Sequence, residues 1–427
     1  MSALKKFKNK LPVHQRRKEV ITLTICGLII FSTLIFYRFI IYSPIFYSEY
    51  PIININCNEE LSNDYSVDCT FELNCKDPED SIDPLNSRVR IRGSGAGKGA
   101  SAWPKKGYRL ELTQAKSLLG LRKDDDWILF AMYVDYPRMR IKMSLDLWRS
   151  LEPTNPTAIL PDSEYVCLYM NGEFQGLYLL AEKNDRRLFG LDDAQNNIDS
   201  SLVFQYRYPD GFGVYDPDNW EQDWPNEDDG IYIMDDIMAN LVNFIHNTSD
   251  EDFFHPESGI YSKFHKRNLV DFYVYNFFIL HQDFWNKNLF IVRNTNPNKF
   301  YLVPWDFDRS FGQYIWKSSD PYKNIEQDIR NRNEMYARLL DSESFVEDCK
   351  ARWNYLREEL WTDEFIYDML TEIYEEIKPV LEIDTKMWDP YQTVTDKRSN
   401  SNQVDESVSE LFQWIKDRLD FCDTYFA

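Results

Sequence analysis

Basic charge is scarce in this chain of 427 residues. Lys and Arg number 48 against 70 Asp and Glu, a formal net charge of −22. That balance disfavours a nucleic-acid backbone as partner, because phosphate binding along a strand needs clustered cations. Glycine and proline are also few, 15 and 19, while 43% of residues are hydrophobic and 16% aromatic, which excludes a disordered or low-complexity chain. No internal repeat is present. The familiar phosphate-loop motifs are missing too. At Gly97-Lys98 a Walker A loop would need glycine where Arg92 stands and Ser or Thr where Gly99 stands, and Gly95 and Gly97 are followed by Ala100 rather than a third glycine. The stretch "SGAGKGASAWP" fits a flexible turn and a nucleotide-covering loop equally well.

Cationic residues are concentrated at one end. Residues 1–19 carry seven Lys/Arg and one acid, leaving about −28 on the rest, an asymmetry expected of two parts facing different compartments. Between them "VITLTICGLIIFSTLIFY", Val20 to Tyr37, has no charge, and Arg38 precedes a further apolar run to Tyr42. About 20 apolar residues suffice to span a bilayer, and a cleaved signal peptide is the rival reading. With the basic residues first, the expectation is a single-pass type II membrane protein, N-terminus cytosolic, with its catalytic domain in the ER/Golgi lumen or outside the cell. Six cysteines follow the span, Cys57, Cys69, Cys75, Cys167, Cys349 and Cys422, without zinc-ribbon spacing, so disulfides are expected, of open connectivity. A sequon at Asn247-Thr248-Ser249 agrees with lumenal exposure.

The remainder divides by pattern. "SRVRIRG" alternates as a half-buried strand, and "KKGYRLELT" alternates again with Lys106, Tyr108, Leu110 and Leu112 on its apolar face. A helix is expected from about Pro137 to Arg149, with Asp135 as N-cap candidate and Met139, Met143 and Leu147 stacked. "YVCLYM" and "EFQGLYLL" flank Asn171-Gly172, a type I′ hairpin dipeptide. Residues of about 192–235 are acidic and loop-rich, read as an insertion, and helical patterns dominate beyond. The expectation is an α+β chain: a basic cytosolic tail at 1–19, an anchor at 20–42, a lumenal stem and the start of a strand-rich N-lobe at 43–86, the N-lobe at 87–190, and a helical C-lobe at 191–427.

The chemistry concentrates in "HQDFWNKNLFIVRNTNPNKFYLVPWDFDRSFG", His281 to Gly312. His281, Asp283 and Asn288 reproduce the H-x-D-x-x-x-x-N spacing of a protein-kinase catalytic loop, and Asp306 follows an apolar strand as a metal-binding Asp would. A hard cation takes oxygen ligands, so one amide and one or two carboxylates beside nucleotide phosphates are chemically coherent. The chain here resembles the CotH kinase family of atypical kinases, also through "RVRIRGSG…WPKKGYRLEL", "DWILFAMYVDYPRMRIKMSLDLW" and "VCLYMNGEFQGLYLLAEKND". The resemblance implies a two-lobed kinase-like fold that binds ATP with Mg²⁺ or Mn²⁺ and phosphorylates Ser/Thr of lumenal or secreted proteins. By position, Asp283 then looks like the catalytic-loop Asp, Asn288 and Asp306 like metal ligands, and Lys106 like the nucleotide-phosphate lysine. Glu182 stands where a hinge toward adenine would be, and Arg140 matches a position on the first-lobe helix.

Each of these residues has a plainer reading. Asp308 could bind a second metal or only hold its turn, Lys105 faces away from the apolar side, His281 can anchor backbone, Arg140 can serve ion pairing alone, and Asp146 could be the partner of Lys106. A type II glycosyltransferase using Asp306 and Asp308 as a metal-binding Asp-x-Asp is the rival enzyme, and a catalytically silent surface adhesin is the rival binding protein.

Overall fold

The computed structural model describes residues 50–93, 102–206, 212–226, 230–281, 288–314, 317–389 and 404–427. Val20 to Tyr42, the glycine stretch at 94–101 and Asp283 lie outside them. Among the described residues no helix is long and apolar enough to cross a membrane.

Seven strands close into a barrel: β1 (Ile52–Cys57), β2 (Val67–Asn74), β3 (Ile82–Ile91), β4 (Tyr108–Lys116), β5 (Asp124–Phe130), β6 (Ser163–Met170) and β7 (Glu173–Glu182), in the order β1-β2-β3-β4-β5-β7-β6. Parallel pairing of β1 with β6 completes the ring, so the strands before residue 87 belong to it. The β6–β7 hairpin turns as expected, with Asn171 and Gly172 both at positive φ. Cys57 and Cys69, opposite each other on β1 and β2, form a disulfide, while Cys75, Cys167, Cys349 and Cys422 are free thiols.

Period-2 alternation sorts the side chains. Val89, Leu110, Leu112, Trp127, Leu129, Tyr178 and Leu180 fill the barrel, whereas Ile128, Phe130, Leu177, Leu179 and Ala181 point outward into the core shared with the helical part. β5 and β7 are therefore buried on both faces, and their outer face is where the site is built.

The chain leaves the barrel at Glu182 and forms a second sheet, β11-β10-β8-β9, from β8 (Leu202–Tyr206), β9 (Trp220–Trp224), β10 (Leu289–Arg293) and β11 (Phe300–Pro304). The acidic segment at about 192–235 thus supplies two strands. Its lack of period-2 contrast follows from burial, since Leu202, Val203 and Phe204 are all enclosed.

The helices, renumbered among those of seven residues or more, are α1 (Arg140–Arg149), α2 (Met234–Asn247), α3 (Lys266–Phe278), α4 (Glu326–Arg332), α5 (Glu334–Leu340), α6 (Glu343–Tyr355), α7 (Asp363–Met387) and α8 (Val404–Tyr425). Every residue of α3 from Asn268 to Phe278 is buried, as expected of a helix apolar on all sides. Its polar residues have partners: the Asn268 amide bonds both N–H and C=O of Leu302, and Asp271 takes Arg352 at 2.6 Å. Arg418 of α8 donates to the Phe277 and Phe278 carbonyls, satisfying acceptors that the helix end leaves open.

One buried carboxylate ties the halves together. Asp384 on α7 accepts from Lys105 Nζ at 2.7 Å, Arg138 Nε at 2.7 Å and the Leu177 N–H at 2.8 Å, and all three charged side chains have zero exposure. A Cβ at Gly176, φ +105°, would come within 2.1 Å of its Oδ1, so β7 needs glycine there. Burial pushes the Lys105 ammonium down to about 8 against the pull of Asp384. Burial would raise the Asp384 pKa, but Lys105 and Arg138 outweigh it and hold it below the ordinary value.

Replacing Asp384 by Asn leaves two buried cations facing a neutral amide. Urea unfolding at pH 7 should show a loss of about 3–5 kcal/mol. A depressed carboxylate contributes stability above its unfolded pKa of about 3.9 and loses it as pH falls through the folded value. The gap between wild type and Asp384→Asn should therefore narrow as pH falls below about 3.9, and a gap that did not narrow in acid would contradict the assignment.

Candidate active site

The open end of the β10–β11 hairpin carries the expected metal ligands. Leu289 pairs with Pro304, and the Trp305 N–H donates to the Asn288 carbonyl at 3.0 Å, so Asn288 and Asp306 flank the same end of one ladder. Both have left-handed backbone, φ +61° and +64°, a conformation that Asn and Asp tolerate better than most residues. Leu280 and Phe311, φ +48° and +46°, are also left-handed, and bulky residues held so are strained. Strain gathered in one loop system directs attention to it as functional.

The surroundings over-determine that loop. His281, fully buried, contacts the Asp306 carbonyl through Nε2 at 2.8 Å; facing a carbonyl, Nε2 must carry the hydrogen. The Phe311 N–H donates to the Ile279 carbonyl at 2.6 Å, and Ser310 Oγ donates to the Phe307 carbonyl at 2.7 Å. From α1, Ser144 Oγ meets Ser310 Oγ at 3.2 Å, and Arg140 Nε donates to the Phe311 carbonyl at 3.3 Å. Asp135 accepts the Arg140 guanidinium at 2.6 Å and its backbone N–H at 2.7 Å, doing a capping acid's work from outside the helix. Helix α1 begins at Arg140 rather than Pro137 because Arg138 has φ +58°.

Aromatic rings form the wall against the barrel. Trp305 packs on Phe130 of β5 at 5.8 Å and on Phe290 of β10 at 5.9 Å. Arg92, at the end of β3, lies over Phe130 at 4.4 Å and over Trp305 at 5.5 Å. Burial lowers its pKa to about 10, with Asp306 and Asp308 pulling upward and Arg109 downward. It remains cationic at neutral pH. The alternation of "RVRIRG" had placed Arg92 on a polar, outward face; outward at this edge means into the cleft.

The other expected residues fall as follows. Asp308 is half-buried in the turn after Asp306. Lys106 is half-buried and its carbonyl accepts from Tyr178, while the fully buried lysine is Lys105. The expectation that Lys105 faces solvent is corrected by the packing of α7, which covers the barrel's outer face beside Leu177. Asp146 holds Lys142 and Arg149 on its own helix. Glu182 stands where the chain passes from barrel to second sheet, but its carboxylate is occupied by the backbone N–H groups of Arg122 and Asp162, at 2.9 and 3.1 Å. Any hinge contact from it would have to use backbone. Arg140 serves the Asp135 pair and the Phe311 carbonyl.

Among the described residues no three His, Cys, Asp or Glu side chains converge as a metal cluster. The donor set of one amide and two half-buried carboxylates still fits a Mg²⁺-type ion, which keeps waters and takes substrate phosphates rather than a full protein cage.

A family model described as CotH kinase protein matches residues 89–422, which takes in the barrel from β3 onward, the hairpin and most of α8. The chain belongs to the CotH kinase family. Its activity class is accordingly that of an atypical protein kinase. Among curated proteins, the inner spore coat protein H of Bacillus subtilis strain 168 is 25% identical over 369 residues, covering 82% of this chain and 91% of its own length. Among solved structures, the Helicobacter pylori proinflammatory kinase CtkA matches at 11% identity and a TM-score of 0.26, over 74% of this chain and 94% of that one, an overlap too loose to support inference. These findings correct the localisation expected from sequence. No helix among the described residues could cross a membrane, and the similar curated protein is named for a spore coat, so the type II membrane and secretory assignment is withdrawn.

His281→Ala should free the Asp306 carbonyl and loosen the loop. Chemical denaturation is expected to show a loss of about 1–3 kcal/mol. An unchanged midpoint would show that the imidazole does not hold the turn.

Proposed function

We propose that this CotH kinase-family protein transfers the γ-phosphoryl group of ATP to Ser or Thr hydroxyls of protein substrates, with Mg²⁺ or Mn²⁺. The observation that carries the reading is the pairing of Asn288 and Asp306 at one hairpin end, both left-handed, with His281 fixing the Asp306 carbonyl. Phosphoryl transfer asks a protein mainly to position an in-line attack and to neutralise charge on phosphate oxygens. A divalent ion held by Asn288, Asp306 and Asp308 would supply that neutralisation when bound. Asp283, five residues before Asn288, has the sequence position of the group that orients the acceptor hydroxyl and takes its proton. Lys106 is proposed to face the phosphates and the backbone at Glu182 the base, while Arg140 positions the loop through Phe311. The aromatic wall of Phe130 and Trp305 limits water on the barrel side.

Two variants of the full-length chain test this. Asp283→Ala should bind nucleotide as wild type yet transfer phosphate on the order of 10² more slowly or worse, as expected when a positioned base is lost. Asp306→Asn, which tolerates the left-handed backbone, should keep the fold and weaken Mg²⁺-dependent ATP binding in calorimetry. Mass spectrometry of acceptor proteins identifies the group moved. Transfer of a sugar or a nucleoside monophosphate would sink the kinase assignment, and wild-type transfer by Asp283→Ala would remove Asp283 from catalysis.

A further inference from the structure

Four buried arginines spend their guanidinium groups on protein acceptors. Arg138, Arg140, Arg352 and Arg418 each donate to carboxylates or to backbone carbonyls. Arg92 differs. Its backbone N–H is bonded to the Gly107 carbonyl at 2.8 Å, but among the described residues its guanidinium makes no hydrogen bond and no ion pair within reach. Among the described residues its guanidinium lies over the faces of Phe130 and Trp305. Stacking on rings fixes the guanidinium plane and leaves its N–H edge free to donate.

Local sequence explains how it gets there. Arg92 lies on β3's side of β4, and Phe130 is on β5 beyond it. The intervening residue is Gly107, where an added Cβ would sit 3.8 Å from Arg92 Cβ and 3.2 Å from the Leu129 carbonyl. Without a side chain at 107, Arg92 can cross β4 and reach the aromatic wall beside Asp306.

Two more cations stand behind it. Arg90 and Arg109 face each other across β3 and β4, an arrangement that costs stability when like charges are directly opposed. Neither has an ion pair among the described residues, whereas Arg88, next along the same face, reaches Asp68 at 3.9 Å and Glu111 at 3.8 Å. In a chain of net charge −22, three arginines with no carboxylate within ion-pair distance among the described residues lead along one barrel face to the candidate metal ligands.

We propose that Arg92 donates its guanidinium fork to the phosphoryl oxygens of the bound nucleotide, with Arg109 and Arg90 holding the approach at positive potential. This rests on the kinase reading and adds to it a second cation, beside Lys106, that contacts phosphate. Lys105 cannot share this task, because its ammonium is committed to Asp384 and the Leu177 carbonyl. A planar fork matches phosphate oxygens two at a time, and charge-assisted bonds of this kind are the strong ones.

Calorimetry of ADP and of adenosine, each with Mg²⁺, on the full-length chain tests it. Arg92→Gln should weaken ADP by a factor on the order of 10 to 100 and leave adenosine unchanged. Arg92→Lys should recover part of the loss, Arg109→Ala should weaken ADP by less, and Arg88→Ala should match wild type. Equal ADP affinity in wild type and Arg92→Gln would overturn the proposal. So would equal weakening of ADP and adenosine, which marks a merely structural role, or tighter Mg²⁺ binding without nucleotide and an unchanged ADP-to-adenosine ratio, which marks Arg92 as a counter-ion of Asp306. If Arg92→Gln does not fold, Arg92→Lys carries the same comparison: an ADP affinity equal to wild type removes the fork. A wild-type chain that bound no adenine nucleotide would instead sink the kinase reading itself.

Discussion

A single buried carboxylate, Asp384, sets the relation between barrel and helices. Its partners come from three places: Lys105 before β4, Arg138 before α1, and the Leu177 N–H within β7. Burying three charges is costly, and replacement by apolar residues of the same volume can be neutral or better for stability. What such a group does provide is direction, because Asp384 reaches both cations by passing close over Gly176, where a side chain would block it. Arg138 in turn bonds the carbonyls of Met132, Tyr133 and Asp135 and takes Tyr165 on its own carbonyl. The turn that launches α1 is thereby fixed to α7.

From that turn the constraint passes to the site. Asp135 orients Arg140, Arg140 reaches the Phe311 carbonyl, and Ser144 meets Ser310, so α1 grips the far side of the loop that begins at Asp306. On the near side α3 runs without an exposed residue from Asn268 into His281, whose ring holds the Asp306 carbonyl. The strained backbone at Leu280 and Phe311 persists because both sides hold it. On the proposed reading, a loop held in this way would need little rearrangement when metal and phosphate bind, and such preorganisation is a large part of electrostatic catalysis.

Much of this was legible in the residues. Alternation in "KKGYRLELT", the Asn171-Gly172 turn and the Met139, Met143, Leu147 stripe each carry one strong local period; the turn formed as read, while the strand and the helix formed but begin at Tyr108 and Arg140 rather than at Lys105 and Pro137. The spacing from His281 to Asn288 and on to Asp306 marked the loop because it places polar groups where a core would otherwise continue. Three things were hidden. Both faces of β5 and β7 are buried, so the solvent side of the barrel could not be told from its cleft side, and Lys105 and Arg92 fall on faces that read simply as polar. Asp384 lies 279 residues from Lys105, and no local pattern announces a pair that distant. Strands β8 and β9 sit in an acidic segment whose pairing depends on β10, far along the chain. The apolar run at residues 20–42 suggested a compartment, but it lies outside the described residues, among which no helix is long and apolar enough to cross a membrane.

The central claim is that the hairpin end at Asn288 and Asp306 is where metal and nucleotide phosphates meet. Anomalous diffraction from crystals of the full-length chain grown with Mn²⁺ and a non-hydrolysable ATP analogue locates the ion directly. The account predicts a manganese peak in contact with Asn288 and Asp306 oxygens and with phosphoryl oxygens, beside the Phe130–Trp305 wall. A nucleotide bound with its metal at any other place in the molecule would contradict it.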